Sequence, residues 1–441
     1  MLAATPREQR CFLPMMKPSG MQGILLLISI LILISANTST AFVPFLQQSN
    51  RNSSSSLGFF GRFRRNNNNQ RHFDDNFDYS TISTELPPHL TSIPAIQELE
   101  DVFDDDTNNY VCQHGWMDSV EKDGARLHYR RFLPKEDGTE PRGIIVWMHG
   151  IQGFGGGAHI VDHGNTTVTK TNMAFIADRF VGEKNYAVYS LDLYGHGYSE
   201  GRRHFVTSWQ NNLQDYTNFL KHVASLHDNE DDATDVPLFC AGESYGGCLT
   251  LHLAAQQEEK EALPPQLDSI LLLAPAVIAA DLPPAPVTFI LKQILARLAP
   301  RWQPFFMPHP VSPENVWRDE TLRQRNLDRT PEPYIGGSGT QFRLGTAVQL
   351  LDALDACRDT AIPALKTTPF CVVHGDNDRA VPIDGTNYLD EHAPVKERAV
   401  RREPGAYHDL LADPAKDNVV EFLLEWTEGR IAKRAARVSS N

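Results

Sequence analysis

Leu238-Phe239-Cys240-Ala241-Gly242-Glu243-Ser244-Tyr245-Gly246-Gly247-Cys248 is the stretch that decides the fold. Its first four residues are an unbroken apolar run, the signature of a strand buried on both faces. Its end leads into Leu249–Ala255, which reads as a helix. Between them lies a serine flanked by glycines, Gly242-x-Ser244-x-Gly246. A tight strand-to-helix turn of this kind holds a serine hydroxyl up at the edge of a sheet, and flanking glycines let neighbouring backbone approach. The pattern is that of a nucleophile elbow, with Ser244 as the nucleophile.

Outward from the elbow, the same apolar theme recurs at Ile144–Met148, Ala187–Leu191, Ile270–Ala274 and Phe370–Val373, with a shorter strand candidate at Leu127–Phe132. Helical periodicity separates them at Ala174–Val181 and Leu213–Leu220, and returns at Val419–Trp426. Strands alternating with helices predict an α/β fold, a mainly parallel, doubly wound sheet whose strand C-terminal ends share one edge. The alternation breaks between Ala276 and about Ala361, where a Pro-rich segment holds an apolar stripe at Val287, Ile290, Leu291, Ile294, Leu295 and Leu298. An insertion of this length at a strand end is expected to form a helical cap, residues 276–361, over the active edge. Its stripe would either pack on the sheet edge or touch a bilayer as a peripheral membrane contact.

A serine hydroxyl needs a base within hydrogen-bond reach, and in this architecture the acid and the base follow the serine in the chain. Beyond the strand at 370–373 stand two carboxylates, Asp376 and Asp378, and His408 follows in a turn after the candidate last strand. His408 is therefore the expected general base, and either aspartate is a candidate acid. The oxyanion calls for two converging backbone donors, expected from Tyr245 and from Ile151 in the turn after Met148-His149-Gly150. His149, His196 and His374 read as loop histidines with structural work. His159, Asp162 and His163 lack the HExxH spacing of a zinc site. No metal and no cofactor is expected.

Composition agrees. The 441-residue chain is 41% apolar and 22% charged, enough to bury a large core. Its 41 basic against 55 acidic residues, net −14, argue against a nucleic-acid partner, which requires clustered positive charge. Six cysteines, at 11, 112, 240, 248, 357 and 371, include no CxxC pair, so neither a disulfide scaffold nor a zinc module is expected from their spacing.

The N-terminus reads as an address. Arg7, Arg10 and Lys17 precede the apolar run Ile24–Ile34, followed by small residues to Ala41, so residues 1–41 read as a signal peptide or signal anchor. Residues 42–73 carry five arginines, many Ser and Asn, and no acid, which is transit-peptide composition. Together they resemble the bipartite presequence of algae with secondary plastids, an endomembrane-anchored or secreted protein being the alternative. Residues 74–110 are acidic and are expected to form a solvated linker. The α/β domain is then expected over 111–435.

The motifs MHG at 148–150, DLYGHGYSEG at 192–201, GESYGG at 242–247, LLLAPAV at 271–277, FRLGTAVQLLDA at 342–353, HGDNDRAVP at 374–382 and GAYHDLL at 405–411 occur in this order. They resemble the monoacylglycerol lipase branch of the α/β-hydrolases, also labelled serine aminopeptidase S33-type. The plant lysophospholipase-like and caffeoylshikimate-esterase-like members belong to the same branch. The resemblance implies Ser244, Asp378 and His408 as a triad, with Asp378 rather than Asp376 as the acid. It also implies an apolar acyl channel beneath a mobile cap and a lipid ester substrate, monoacylglycerol or lysophospholipid. Acyltransferase or aminopeptidase activity, or a non-catalytic hydrolase-like receptor, are the alternatives. The chain departs from the family in its glycine-rich loop at 151–157, its extension to Thr171 and its Pro-rich cap with Tyr334–Gly339.

Overall fold

The computed structural model describes residues 86–438 apart from 122–123, 136–139, 161–169, 228–235, 260–265, 281, 283, 305–308 and 329–340. The expected signal and transit segments, Asp162 and His163, and the cap stretch Tyr334–Gly339 lie outside the described residues.

Eight strands form one sheet: β1 (Tyr110–Asp118), β2 (Arg126–Pro134), β3 (Ile144–Met148), β4 (Ala187–Leu191), β5 (Leu238–Glu243), β6 (Ser269–Leu273), β7 (Phe370–Gly375) and β8 (Arg398–Glu403). Their spatial order is β1-β2-β4-β3-β5-β6-β7-β8. β2 pairs antiparallel with β1 and β4, and every other pairing is parallel. The strands predicted from apolar runs are all present, and each central one is buried along its length. β3 shows why a run rather than an alternation was the right signal. Ile144, Val146 and Met148 join the core on one face, while Ile145 and Trp147 join the core on the other. A strand buried on both faces has no polar side to alternate with.

Helices cover both faces. The site depends on α2 (Trp209–Ser225), α3 (Tyr245–Glu259) and α9 (Lys416–Val438). The cap contributes α4 (Ala285–Ile290), which continues through a π-helical turn to Leu298, then α5 (Pro313–Val316) and α6 (Glu320–Asp328). α7 (Leu344–Ala356) returns the chain to the core through a second π-helical turn at Cys357–Ala361, and α8 (Asp384–His392) follows β7. The extension after the glycine-rich loop forms a two-stranded ribbon, His159–Ile160 with Lys170–Thr171.

Two expectations need correction. The described part of the acidic segment is no solvated linker. Helix α1 (Pro94–Glu100) and the turns around it bury Leu90, Ile96, Leu99 and Phe103 in the same core as Trp147 and Phe132. Ile96, Leu99 and Phe103 fall on one helical face, a stripe that the surrounding acids outnumbered in the composition. One of those acids, Glu100, is itself buried and accepts hydrogen bonds from the fully buried Arg130 (2.6 Å) and from the Tyr198 hydroxyl (2.6 Å). The folded body therefore starts before residue 111, and β1, absent from the expected strands, is its edge.

The cap stripe also divides. Val287, Leu291 and Leu295 pack with Leu344 and Val348, whereas Ile294 and Leu298 are exposed, the latter at 77%. A continuous apolar stripe wider than its partner surface leaves one margin in solvent.

Candidate active site

The elbow forms as its residue pattern requires. Ser244 follows the last residue of β5 with φ of 51°, a left-handed conformation that costs a non-glycine residue ~1–3 kcal/mol. Its backbone is fastened by the bond from its N–H to the Leu273 carbonyl (3.0 Å) and from the Ala276 N–H to its own carbonyl (2.9 Å). The flanking glycines are sterically enforced. A Cβ on Gly246 would lie 2.2 Å from the Met148 carbonyl oxygen, and one on Gly242 would lie 2.4 Å from Thr250 Oγ1. Tyr245 opens α3, so its N–H is one of the helix's unpaired first-turn donors.

The loop after β3 supplies the opposite wall. His149 Nδ1–H donates to the Gly150 carbonyl (2.7 Å), and the Leu193 N–H donates to His149 Nε2 (3.1 Å). Burial holds this imidazole's pKa below its usual value, so it stays neutral and structural, as the sequence suggested. Ile151 follows, lining one cavity with Ser244 and Tyr245. The loop is anchored further along by the Gly155 N–H, which donates to Asp192 Oδ1 (2.5 Å). Asp192 also accepts from the Tyr198 N–H (2.9 Å) and from His128 Nδ1–H (2.7 Å). The DLYGHGYSEG motif thus works as a brace for the glycine-rich loop. His196 belongs to that brace: it is buried and donates from Nδ1 to the Tyr194 carbonyl (2.9 Å).

Asp378 and His408 meet. His408 Nδ1–H donates to Asp378 Oδ2 at 2.7 Å, leaving Nε2 as the lone-pair nitrogen. The other carboxylate oxygen, Oδ1, accepts from the Ala380 N–H (2.8 Å) and the Val381 N–H (2.9 Å). Asp376 is exposed and turns elsewhere, accepting from the Gly405 N–H at 2.6 Å. Of the two carboxylates the sequence left open, only Asp378 bonds His408. Sequence reasoning gave His374 a purely structural loop role, but its Nε2 lies 3.1 Å from Asp378 Oδ2 and its Nδ1 2.6 Å from the Thr386 hydroxyl. The Thr386 hydroxyl donates and the imidazole passes the polarity on, fixing the carboxylate against the pull of His408. The HxDxD spacing put both groups on one turn, a signal that the sequence carried.

Electrostatics follow from this packing. Burial alone would push Asp378 up, but the charge of His408 and hydrogen bonds from His374 and His408 hold it well below the usual carboxylate range. Burial would lower His408, yet the Asp378 charge and hydrogen bond outweigh it, helped by Asp409 and Glu243, and the net shift is upward. Glu243, enclosed beside the nucleophile and facing the Asp409 charge, is pushed up to about 8. Its Oε1 accepts from Trp147 Nε1–H at 2.6 Å. The cap reaches this corner too, where Trp317 Nε1–H donates to Asp409 Oδ2 at 2.8 Å.

Ser244 borders two cavities. One also holds His408, Gly150 and Ile151. The other runs under the cap between Ile278, Leu291, Phe342, Leu344 and Leu354, and no carboxylate lines it among the described residues.

This strand order, a serine at a strained β5–α3 turn and an acid–histidine pair on the loops after β7 and β8 define an α/β-hydrolase. The family model described as serine aminopeptidase, S33 matches residues 139–415, and the chain belongs to that family. It is 29% identical over 324 residues to a monoglyceride lipase of Rattus norvegicus, covering 72% of this chain and 92% of the relative. It is 26% identical over 305 residues to a monoacylglycerol lipase of Mycolicibacterium smegmatis, covering 69% of this chain and 93% of the relative. A solved structure of a soluble variant of the Saccharomyces cerevisiae monoglyceride lipase, bound to a substrate analog, superposes with a TM-score of 0.53 at 21% identity, covering 71% of this chain and 94% of that one. That last likeness speaks for the fold.

Proposed function

We propose that the chain is a serine ester hydrolase that cleaves a single-chain lipid ester, monoacylglycerol foremost, into a fatty acid and an alcohol. The observation that carries this reading is the position of Ser244, between a cleft shared with His408 and a carboxylate-free apolar cavity under the cap. An acyl chain is desolvated favourably there, at roughly 25 cal/mol per Å² of apolar surface buried. Within the cavity under the cap, a substrate ammonium, as an aminopeptidase would bind, finds no carboxylate among the described lining residues. Relatives named as monoacylglycerol and monoglyceride lipases support the same substrate class.

In the mechanism, His408 Nε2 takes the Ser244 proton as Oγ attacks the ester carbonyl. The Ile151 and Tyr245 N–H groups stabilise the tetrahedral anion, and Asp378 stabilises the imidazolium. The protonated His408 returns its proton to the departing alcohol, and water then releases the fatty acid by the same route. An acyltransferase would differ only in letting an alcohol replace that water. Turnover by the purified chain on a panel of monoacylglycerols, lysophospholipids and aromatic esters tests the reading. Monoacylglycerol should give the highest kcat/KM, and a preference for aminoacyl amides would refute it.

The cap is proposed to rest against a lipid surface. Leu282, Phe289, Ile294, Leu298 and Trp302 are exposed apolar residues of this one insertion, the composition of an interfacial contact. Among the described residues no helix is long and apolar enough to cross a membrane. Delivery through the secretory route to a plastid stays a proposal resting on residues 1–73, tested by fusing them to a fluorescent reporter.

A further inference from the structure

We infer that Cys248, His252 and Cys357 form a buried site for one thiophilic divalent cation of the zinc class, joining the nucleophile helix α3 to the helix that closes the cap. Cys248 and His252 are four residues apart on α3 and so share a face. Cys357 opens the π-helical turn after α7 and faces them from the other side. All three residues are buried, and one ligand atom from each lies within 4.8 Å of the others. A tetrahedral ion ~2.3 Å from sulfur and ~2.0 Å from nitrogen sets its ligand atoms about 3.5–3.8 Å apart. Small side-chain rotations close that difference.

The donor set selects the ion. Two sulfurs and an imidazole suit zinc-like metals and disfavour magnesium or calcium, which take oxygen. Two thiolates neutralise a divalent cation, so the loaded site carries no net charge into the core and avoids the desolvation penalty of a buried ion. A monovalent copper ion would leave one negative charge unbalanced. The histidine is already oriented: its Nε2–H donates to the Ala353 carbonyl at 3.0 Å, and the Trp209 ring packs 4.6 Å from it. That tautomer leaves Nδ1 with its lone pair, and a backbone carbonyl on the second nitrogen is the usual support of a metal-ligating imidazole. Linear spacing hid the site, because its third ligand comes from 105 residues beyond His252, at the end of the cap insertion.

The ion would take no part in ester cleavage. The Cys248 N–H donates to the Ser244 carbonyl at 3.1 Å, so the site lies one helical turn beneath the nucleophile and steadies α3 against α7. Each thiol must surrender its proton on binding. Metal affinity therefore climbs with pH.

The test uses the full chain, reduced and stripped of metal, titrated with Cd²⁺ while thiolate-to-metal charge-transfer absorption is followed. Saturation at one equivalent, release of two protons and a raised melting temperature are expected. Cys357→Val should abolish the band, and His252→Ala should weaken binding ten-fold or more. Near-UV circular dichroism and fluorophosphonate labelling report whether each variant is folded. The inference is overturned by the lack of a charge-transfer band, by a band that persists in folded Cys357→Val, or by a Cys248–Cys357 disulfide in freshly purified protein.

Discussion

Asp378 and Asp376 stand two residues apart, and the structure gives them different work. Asp378 is closed off from solvent and holds His408, whereas Asp376 ties down the backbone of Gly405. Asp378→Asn should lower kcat by about 10⁴ through the wrong imidazole tautomer. Asp376→Asn, which keeps an acceptor for the Gly405 N–H, should stay within a few-fold of wild type. Equal losses in the two variants would reverse the assignment. Glu243 sets a second test. His408 must be neutral to act as base, and its pKa is raised, so the acidic limb of kcat/KM should lie above the ordinary imidazole value of about 6.5. Glu243, pushed up to about 8, is mostly protonated at the pH of that limb, so Glu243→Gln should leave the limb where it is. A limb that moves clearly to lower pH would show instead that Glu243 is ionised beside His408.

At the scale of elements, the central strands and the elbow were readable because the chemistry is local. A run of apolar residues and a pair of glycines leave few options to the backbone. Legibility fell where tertiary partners decided the outcome. Pro94–Glu100 reads in the sequence as part of an acidic tether, since it holds Glu98 and Glu100 and is followed by Asp101 and Asp104 to Asp106. Yet Glu100 is paired with Arg130, whose guanidinium β2 brings to the end of the helix. Arg130 in turn lies 3.9 Å from Asp192, which braces the glycine-rich loop beside Ser244. Removing one member of a buried pair leaves an uncompensated charge, at a cost of ~3–5 kcal/mol. Glu100→Ala should therefore lower unfolding stability by about that amount in equilibrium urea denaturation. A change near zero would return this segment to the role of a tether. The same reasoning explains His374: the sequence showed it close to Asp378, but only the fold shows that it shares the carboxylate oxygen with His408.

At the scale of the whole molecule, the cap is what separates this chain from a generic esterase. The stripe at 287–298 was legible as apolar, but which margin would be covered depended on where α7 returned. α7 takes Val287, Leu291 and Leu295, leaving Phe289, Ile294 and Leu298 outward. Replacing Phe289 and Leu298 with serine should reduce sedimentation with phospholipid liposomes while leaving turnover of a soluble short-chain ester within about two-fold. Loss of both together would mean that the cap had misfolded, and loss of neither would refute interfacial contact. Motif order singled out Ser244, Asp378 and His408, and the fold brings Asp378 and His408 into contact and places Ser244 on a cleft that His408 also lines.

The most direct measurement is covalent labelling of the full chain with a fluorophosphonate, with the modified residue located by peptide mass. One phosphonyl group on Ser244 is predicted, with no labelling of Ser244→Ala and with kcat of that variant on monoacylglycerol lowered by on the order of 10⁶. An unlabelled Ser244 in a preparation that still hydrolyses the ester, or wild-type turnover by Ser244→Ala, would contradict the account.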